Sequence, residues 1–345
     1  MKTKARGILA VAALAVAAGA QAQTEIKVSY QPALYWALPF HVATEKGWWA
    51  EVGLKTVFST FPAGVPQIAA SASKSWDVGG TGSVPAVPGA ARYNLLTIGI
   101  TNDESAGNAL LATKDKAAGY ASNPASIKGK TITLTANSTG DYAVQKCLEK
   151  WGMKKADVTV KSMGQAEVIS AMSSNNSELG GLWAPNIYTM EEKTGAKVIC
   201  SGKDAGVVIP GALVVRADYA KENPQNVAKF LAVYMRAFKW MNAHKPEAIA
   251  MMKKFYEVGG TTISEASMKK EFDTRPTFDL AQHLDIMDRS RGASKADTWM
   301  TQISEFLKSV GTIPTVQAAN TYVTDEFVKM VDKDPKLKAF ANKVD

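Results

Sequence analysis

From Thr24 onward the chain switches repeatedly between short runs in which apolar residues alternate with polar ones and longer stretches with a helical period. Residues 25–30 put Ile26, Val28 and Tyr30 on one side, the period of a half-buried strand. The pattern then predicts a loop rich in aromatics and proline over 31–39 and a helix through Phe40, His41 and Ala43 that stops at Gly47. Strands are predicted over 54–58 and 95–100 and a helix over 67–73, while 76–80 reads as a short strand running into a glycine-rich bend. In the middle of the chain, strands over 130–135, 158–161, 179–183 and 197–200 alternate with helices over 139–151, 165–173 and 187–194. A long amphipathic helix follows through Val227, Phe230, Leu231, Tyr234, Phe238 and Met241. Such alternation implies an α/β fold with mostly parallel sheets and right-handed crossovers.

Two short apolar segments, 109–113 and 212–216, bracket the middle block. The simplest topology makes them two crossing strands between lobes. Residues 23–112 plus 212–345 then form one discontinuous lobe, and 113–211 form a second lobe inserted into it.

The first 22 residues have a different pattern. Lys2, Lys4 and Arg6 precede an apolar run over 8–20, and Ala20-Gln21-Ala22 supplies a small-x-small cleavage pattern. This is the layout of a secretory signal peptide, with an apolar core too short to anchor in a bilayer. No cysteine follows the run, which disfavours a lipoprotein anchor. The mature chain is expected to start near Gln23 and to work in a bacterial periplasm.

Composition narrows the field further. At 46% hydrophobic residues the chain can bury a full core without staples. The formal charge of +8 falls to about +5 without the leader, and no basic run interleaves with aromatics, so nucleic-acid binding is not indicated. Cys147 and Cys200 are too few for a disulfide framework or a zinc site. Val144, Cys147, Leu148 and Trp151 share one helical face, and Cys200 ends a strand three strands further on. A bridge requires Cα atoms within about 7 Å, so two free buried thiols are the expectation. His41, His244 and His283 are widely separated, and neither a nucleophile elbow nor a phosphate-loop fingerprint occurs. Nothing in the chain calls for a catalytic residue, a metal or a cofactor.

The stretch from Leu38-Pro39-Phe40 through Ala43-Thr44-Glu45-Lys46-Gly47-Trp48-Trp49 to Val52-Gly53-Leu54-Lys55 resembles the opening of ABC-importer substrate-binding proteins. The relevant family serves nitrate, taurine, aliphatic sulfonates and thiamine-pyrimidine precursors. Trp76-Asp77-Val78-Gly79 with Gly82-Ser83, Ile127 to Ile132, Trp183-Ala184-Pro185 and Phe306 to Pro314 continue the resemblance in the family's order. It implies a two-lobed type II periplasmic-binding-protein fold with two crossing strands and ligand in the cleft between lobes. It also implies a membrane permease and an ATPase as partners, with no direct membrane insertion and a monomeric binding protein.

In such a cleft the ligand meets loops at the carboxyl ends of strands. Three loops stand out: 31–39 with Gln31, Tyr35 and Trp36; Gly80-Thr81-Gly82-Ser83; and Asn137-Ser138-Thr139-Gly140. The last two place a hydroxyl residue at a helix N-terminus, where free N–H groups and the partial positive end favour an anion. The plainer reading is that these residues cap their own helices. Pro88 would interrupt a helix that began straight after Ser83, so the helix there is expected to kink or to begin later. Trp36 and Trp183 are candidates for the cleft walls, whereas Trp48 and Trp49 fit the core. Asn102 could donate its amide to ligand. Arg275, if buried, would pair a ligand carboxylate, but a surface arginine beside a proline turn is the favoured reading.

The expected function is therefore capture of a small organic anion, sulfonates first, for import. Tyr35, Trp36 and Trp183 fit an aromatic or heterocyclic ligand equally well. A ligand sensor for a signalling receptor and a pyrimidine-synthase-like enzyme are the alternatives from other classes, and export speaks against the second.

Overall fold

The fold follows from a computed structural model that describes residues 23–345, so the expected signal peptide lies outside the described residues. Ten strands carry it: β1 (Thr24–Tyr30), β2 (Leu54–Thr60), β3 (Val78–Gly82), β4 (Leu95–Asp103), β5 (Asn108–Ala112), β6 (Thr131–Leu134), β7 (Thr159–Ser162), β8 (Leu179–Trp183), β9 (Lys197–Ser201) and β10 (Pro210–Arg216). They form two five-stranded sheets with the orders β2-β1-β3-β10-β4 and β7-β6-β8-β5-β9. With the helices packed on each, these sheets define two lobes. The chain passes between them at residues 104–107 and again at 202–209. β5, which stands before residue 113, pairs in the second sheet.

The α/β architecture agrees with the sequence pattern, but the sheets are mixed rather than mostly parallel. β10 runs antiparallel to β3 and β4, and β5 antiparallel to β8 and β9. The cause is the connection. A strand that enters a lobe from the other one starts at the cleft and runs outward, against the strands of the βα units that run toward it. The carboxyl ends of β3, β6 and β8 therefore all reach the cleft, where Gly211 stands opposite Gly82 and Asn108 opposite Trp183.

Two local readings are corrected. The helix Leu34–Glu45 begins inside the stretch predicted as a loop and contains Pro39. Proline cannot donate to the carbonyl four residues back, and here that carbonyl, Tyr35 O, accepts instead from the Tyr234 hydroxyl at 2.9 Å. The bend expected after the short strand is instead a continuation of β3, which runs through Gly82 and is buried throughout. A Cβ on Gly80 would lie 2.2 Å from the Trp36 carbonyl oxygen, so only glycine lets the Leu34 helix cross the strand this closely.

The helix Ser83–Tyr93 starts directly after β3 with Pro88 inside it, so of the two expectations raised by Pro88, a kink or a later start, the later start is not met. Pro85 falls in the first turn, where no N–H has a helical partner, and Pro88 costs the helix a single bond. The long helix Pro224–Ala243 buries Val227, Phe230, Leu231, Tyr234, Phe238 and Met241 as predicted. Trp49 stacks on Phe230 at 6.1 Å and Trp48 lies under the Arg236 guanidinium, so both tryptophans belong to the core.

The expectation of free thiols is wrong. Cys147 and Cys200 form a disulfide with Cα atoms 6.0 Å apart. Counting elements along the chain misjudged the distance, because β9 pairs with β5 and the helix Thr139–Lys150 lies across both strands.

Candidate functional site

A cavity of about 300 Å³ opens between the lobes. The first lobe contributes Gln31, Trp36, Gly82, Pro85 and residues 63–66, and the second contributes residues 135–139, Ser162 and Trp183. Among the described residues, no ionisable side chain lines it.

On the first side, a polar network fixes the floor. Gln31 Nε2 donates to Gln67 Oε1 at 2.7 Å and to Thr81 Oγ1 at 2.8 Å. Gln67 Nε2 in turn donates to Ser29 Oγ and to the Gly80 carbonyl. With Gln67 held by two strand residues and Thr81 itself in β3, the Gln31 amide has one orientation. The Trp36 ring edge stands over Gly82, 3.4 Å from where a Cβ there would sit.

On the second side, the helix Thr139–Lys150 points its first turn at the cavity. Ser138 is its N-cap, accepting from the Asp141 N–H at 3.1 Å. Asp141 Oδ2 accepts from the Asn137 N–H at 3.0 Å, while burial pushes its carboxyl above the usual range. The N–H groups of Thr139 and Gly140 fall in that first turn, outside the helix ladder. Gly140 packs against Trp183, where a Cβ would lie 3.4 Å from the ring. Gln165 braces this side by accepting from the Trp183 N–H and donating to Thr135 Oγ1.

The two helix ends meet. A Cβ on Gly82 would stand 2.8 Å from Thr139 Cγ2, so the turn that opens the Ser83 helix faces the turn that opens the Thr139 helix across the cleft.

Of the residues singled out in sequence, Gln31, Trp36, Gly82, Ser138, Thr139 and Trp183 line the cavity, with Gly140 against Trp183. Four others do not line it. Tyr35 points into the core, edge-on to Phe272, and burial pushes its phenol up. Ser83 is fully buried with its hydroxyl unpartnered, and Asn102, also fully buried, accepts from Thr101 Oγ1 at 2.8 Å. Arg275 is neither a surface residue nor exposed to the cavity. It is 3% exposed and pairs with Glu104 at 2.9 Å and Glu271 at 2.5 Å. Its carboxylates come from the chain itself.

Sequence reasoning missed the rim at 63–66, Thr135, Ser162 and Pro85. The helix Gly64–Ala70 starts three residues earlier than the apolar period suggested. Pro66 in its first turn was the available signal.

The profile of the family described as NMT1/THI5 like matches residues 37–248, and the chain belongs to that family. Over 229 residues it is 28% identical to a Bacillus subtilis (strain 168) protein whose name gives aliphatic sulfonates as its ligand, covering 65% of this chain and 67% of that one. It is 24% identical over 342 residues to the taurine-binding periplasmic protein of Escherichia coli (strain K12), covering 95% of this chain and all (100%) of the other. Among solved structures, the periplasmic aliphatic sulphonate binding protein of Escherichia coli superposes with a TM-score of 0.71 at 17% identity, covering 88% of this chain and 99% of that one. All three are named as binding proteins.

Proposed function

We propose that this protein is the solute-binding component of an ABC importer that captures one small organic anion, a sulfonate first, between its lobes. In this reading residues 1–22 direct export and are removed, and the mature chain works in the periplasm as a monomer. The observation that carries the reading is the meeting of two helix N-termini, at Gly82–Ser83 and Ser138–Gly140, on a cavity without an ionisable wall. First-turn N–H groups and the partial positive helix ends hold an anionic group without a cation. Trp36, Trp183, Pro66 and Pro85 supply apolar surface for the remainder of the ligand. The names of the relatives point to the same ligand class.

The passages at 104–107 and 202–209 act as the hinge. Ligand bridging the two lobes favours the closed arrangement, which is the form a permease and its ATPase partner would recognise. No helix among the described residues is long and apolar enough to cross a membrane, consistent with a diffusing carrier.

The two tryptophans favour one second reading, an uncharged aromatic or heterocyclic ligand bracketed by Trp36 and Trp183. Thermal-shift screening of refolded protein separates the two. A ligand at a hundred times its Kd stabilises the fold by about 2.7 kcal/mol. A response to alkyl sulfonates and taurine supports the anion site, and a response confined to neutral aromatics supports the second reading.

A further inference from the structure

The Trp36 indole presents its ring edge to the cavity at Gly82 and turns its Nε1 toward the hinge. Glycine 211 reports the arrangement: a Cβ there would lie 2.8 Å from Trp36 Nε1, 2.9 Å from Glu104 Oε1 and 2.0 Å from Thr101 Oγ1. Trp36 and Glu104 are 3% and 1% exposed, and among the described residues neither Trp36 Nε1 nor Glu104 Oε2 has a hydrogen-bond partner. A buried indole N–H needs an acceptor facing it, and a carboxyl group keeps an acceptor oxygen in either protonation state.

Glu104 is the first residue of the passage from β4 to β5. Its N–H donates to Ile209 O in the return passage at 2.7 Å, and its carbonyl accepts from Asn108 Nδ2 at 2.9 Å. The backbone of this one residue thus ties both passages together, while Arg275 Nη2 pins its carboxylate. We propose that Glu104 is the positioning residue for Trp36, facing the indole N–H from the hinge and fixing the angle at which the ring walls the cavity. The shape of the cavity is then tied to the state of the hinge.

The charge environment makes the contact observable. Burial outweighs the pull of Arg275 and pushes the Glu104 carboxyl up to about 8, with Asp103 of β4 adding to the rise. Arg275 and Glu271, at the end of the helix Glu265–Thr274, face the same cluster, and burial raises Glu271 as well. The phenols of Tyr35, Tyr234 and Tyr256 around it are pushed up by burial and stay neutral across this range.

The test is nitrogen-15 NMR of the tryptophan indole groups in ligand-free protein, with the Trp36 signal identified by its loss in Trp36→Phe. The Trp36 N–H signal is expected to titrate with a midpoint near 8, the value to which Glu104 is raised. Glu104→Gln should abolish that titration. Glu271→Gln, which takes a carboxylate from the same arginine but not from the indole, should preserve it. Glu104→Asp, which withdraws the charge by one methylene, should reduce its amplitude. A Trp36 signal flat with pH in the wild-type protein, or a titration that survives Glu104→Gln, overturns the proposal. The consequence for binding rests on the cavity being the ligand site, but the NMR test uses no ligand and stands or falls separately from that reading.

Discussion

The Thr312 hydroxyl donates to the Asn137 side-chain carbonyl at 2.6 Å, bonding one lobe to the other at the rim of the cavity. Arg92 holds Thr312 to the first lobe through its carbonyl at 2.8 Å, and Asn137 belongs to the turn before the Thr139 helix. Thr312→Val keeps the shape and removes the bond. One neutral hydrogen bond contributes about 0.5–1.5 kcal/mol, so sulfonate affinity should fall about 2- to 12-fold by titration calorimetry. The melting temperature of ligand-free protein should hardly move.

Gly82 makes a sharper case. Its φ of −76° suits any residue, so the obstacle to a side chain is the opposite lobe and not the local backbone. Gly82→Ala drives a methyl into Thr139 Cγ2, and overpacking of this kind costs roughly 1–3 kcal/mol, a loss of about 5- to 150-fold in affinity. Adding Thr139→Ser removes the opposing methyl and should restore most of it. Calorimetry on the single and double variants checks both claims.

The disulfide closes a loop with a sequence separation of 53 within the second lobe. Replacing Cys147 and Cys200 together by serine should lower stability by roughly 2–4 kcal/mol in denaturant unfolding. Reductant should destabilise the wild-type protein in the same direction and leave the double variant unaffected.

Stability should also depend on pH through Glu104. An acid whose folded value lies near 8 binds a proton in the folded state where the unfolded chain, with a reference near 4.5, has lost it. Its contribution is therefore complete below the unfolded value and is lost as pH rises toward 8. Melting temperature should decline over that window in the wild-type protein and decline less in Glu104→Gln. Comparing the two isolates Glu104 from Glu271 and Asp141, whose carboxyls are also raised by burial.

Much of this was legible in the chain. Strands such as β8 and helices such as Gln165–Ser173 declare themselves through local periodicity, and the hydroxyls beside Thr139 mark a helix start whatever surrounds them. What stayed hidden depends on contacts between distant segments. Pro39 reads as a loop residue until Tyr234, 199 positions after Tyr35, satisfies the carbonyl that proline leaves free. The glycines of β3 look like a bend until the Leu34 helix is laid against them. The directions of β5 and β10 follow from which lobe the chain has just left, a fact no local pattern carries. Arg275 finds Glu104 171 positions away, so its pairing inside the protein could not be separated from pairing with a ligand.

The most direct measurement is titration calorimetry of refolded protein with an alkyl sulfonate, comparing the wild-type chain with Thr139→Ala and Thr139→Pro. Thr139 is the first helical residue, where proline is tolerated and removes only an N–H that the helix itself does not use. If the helix end holds the anion, the sulfonate binds at one site per chain and Thr139→Pro weakens it well beyond Thr139→Ala, with both variants folded. Equal affinities for the two variants, or heat released only by neutral aromatic compounds, would contradict an anion site built from facing helix ends.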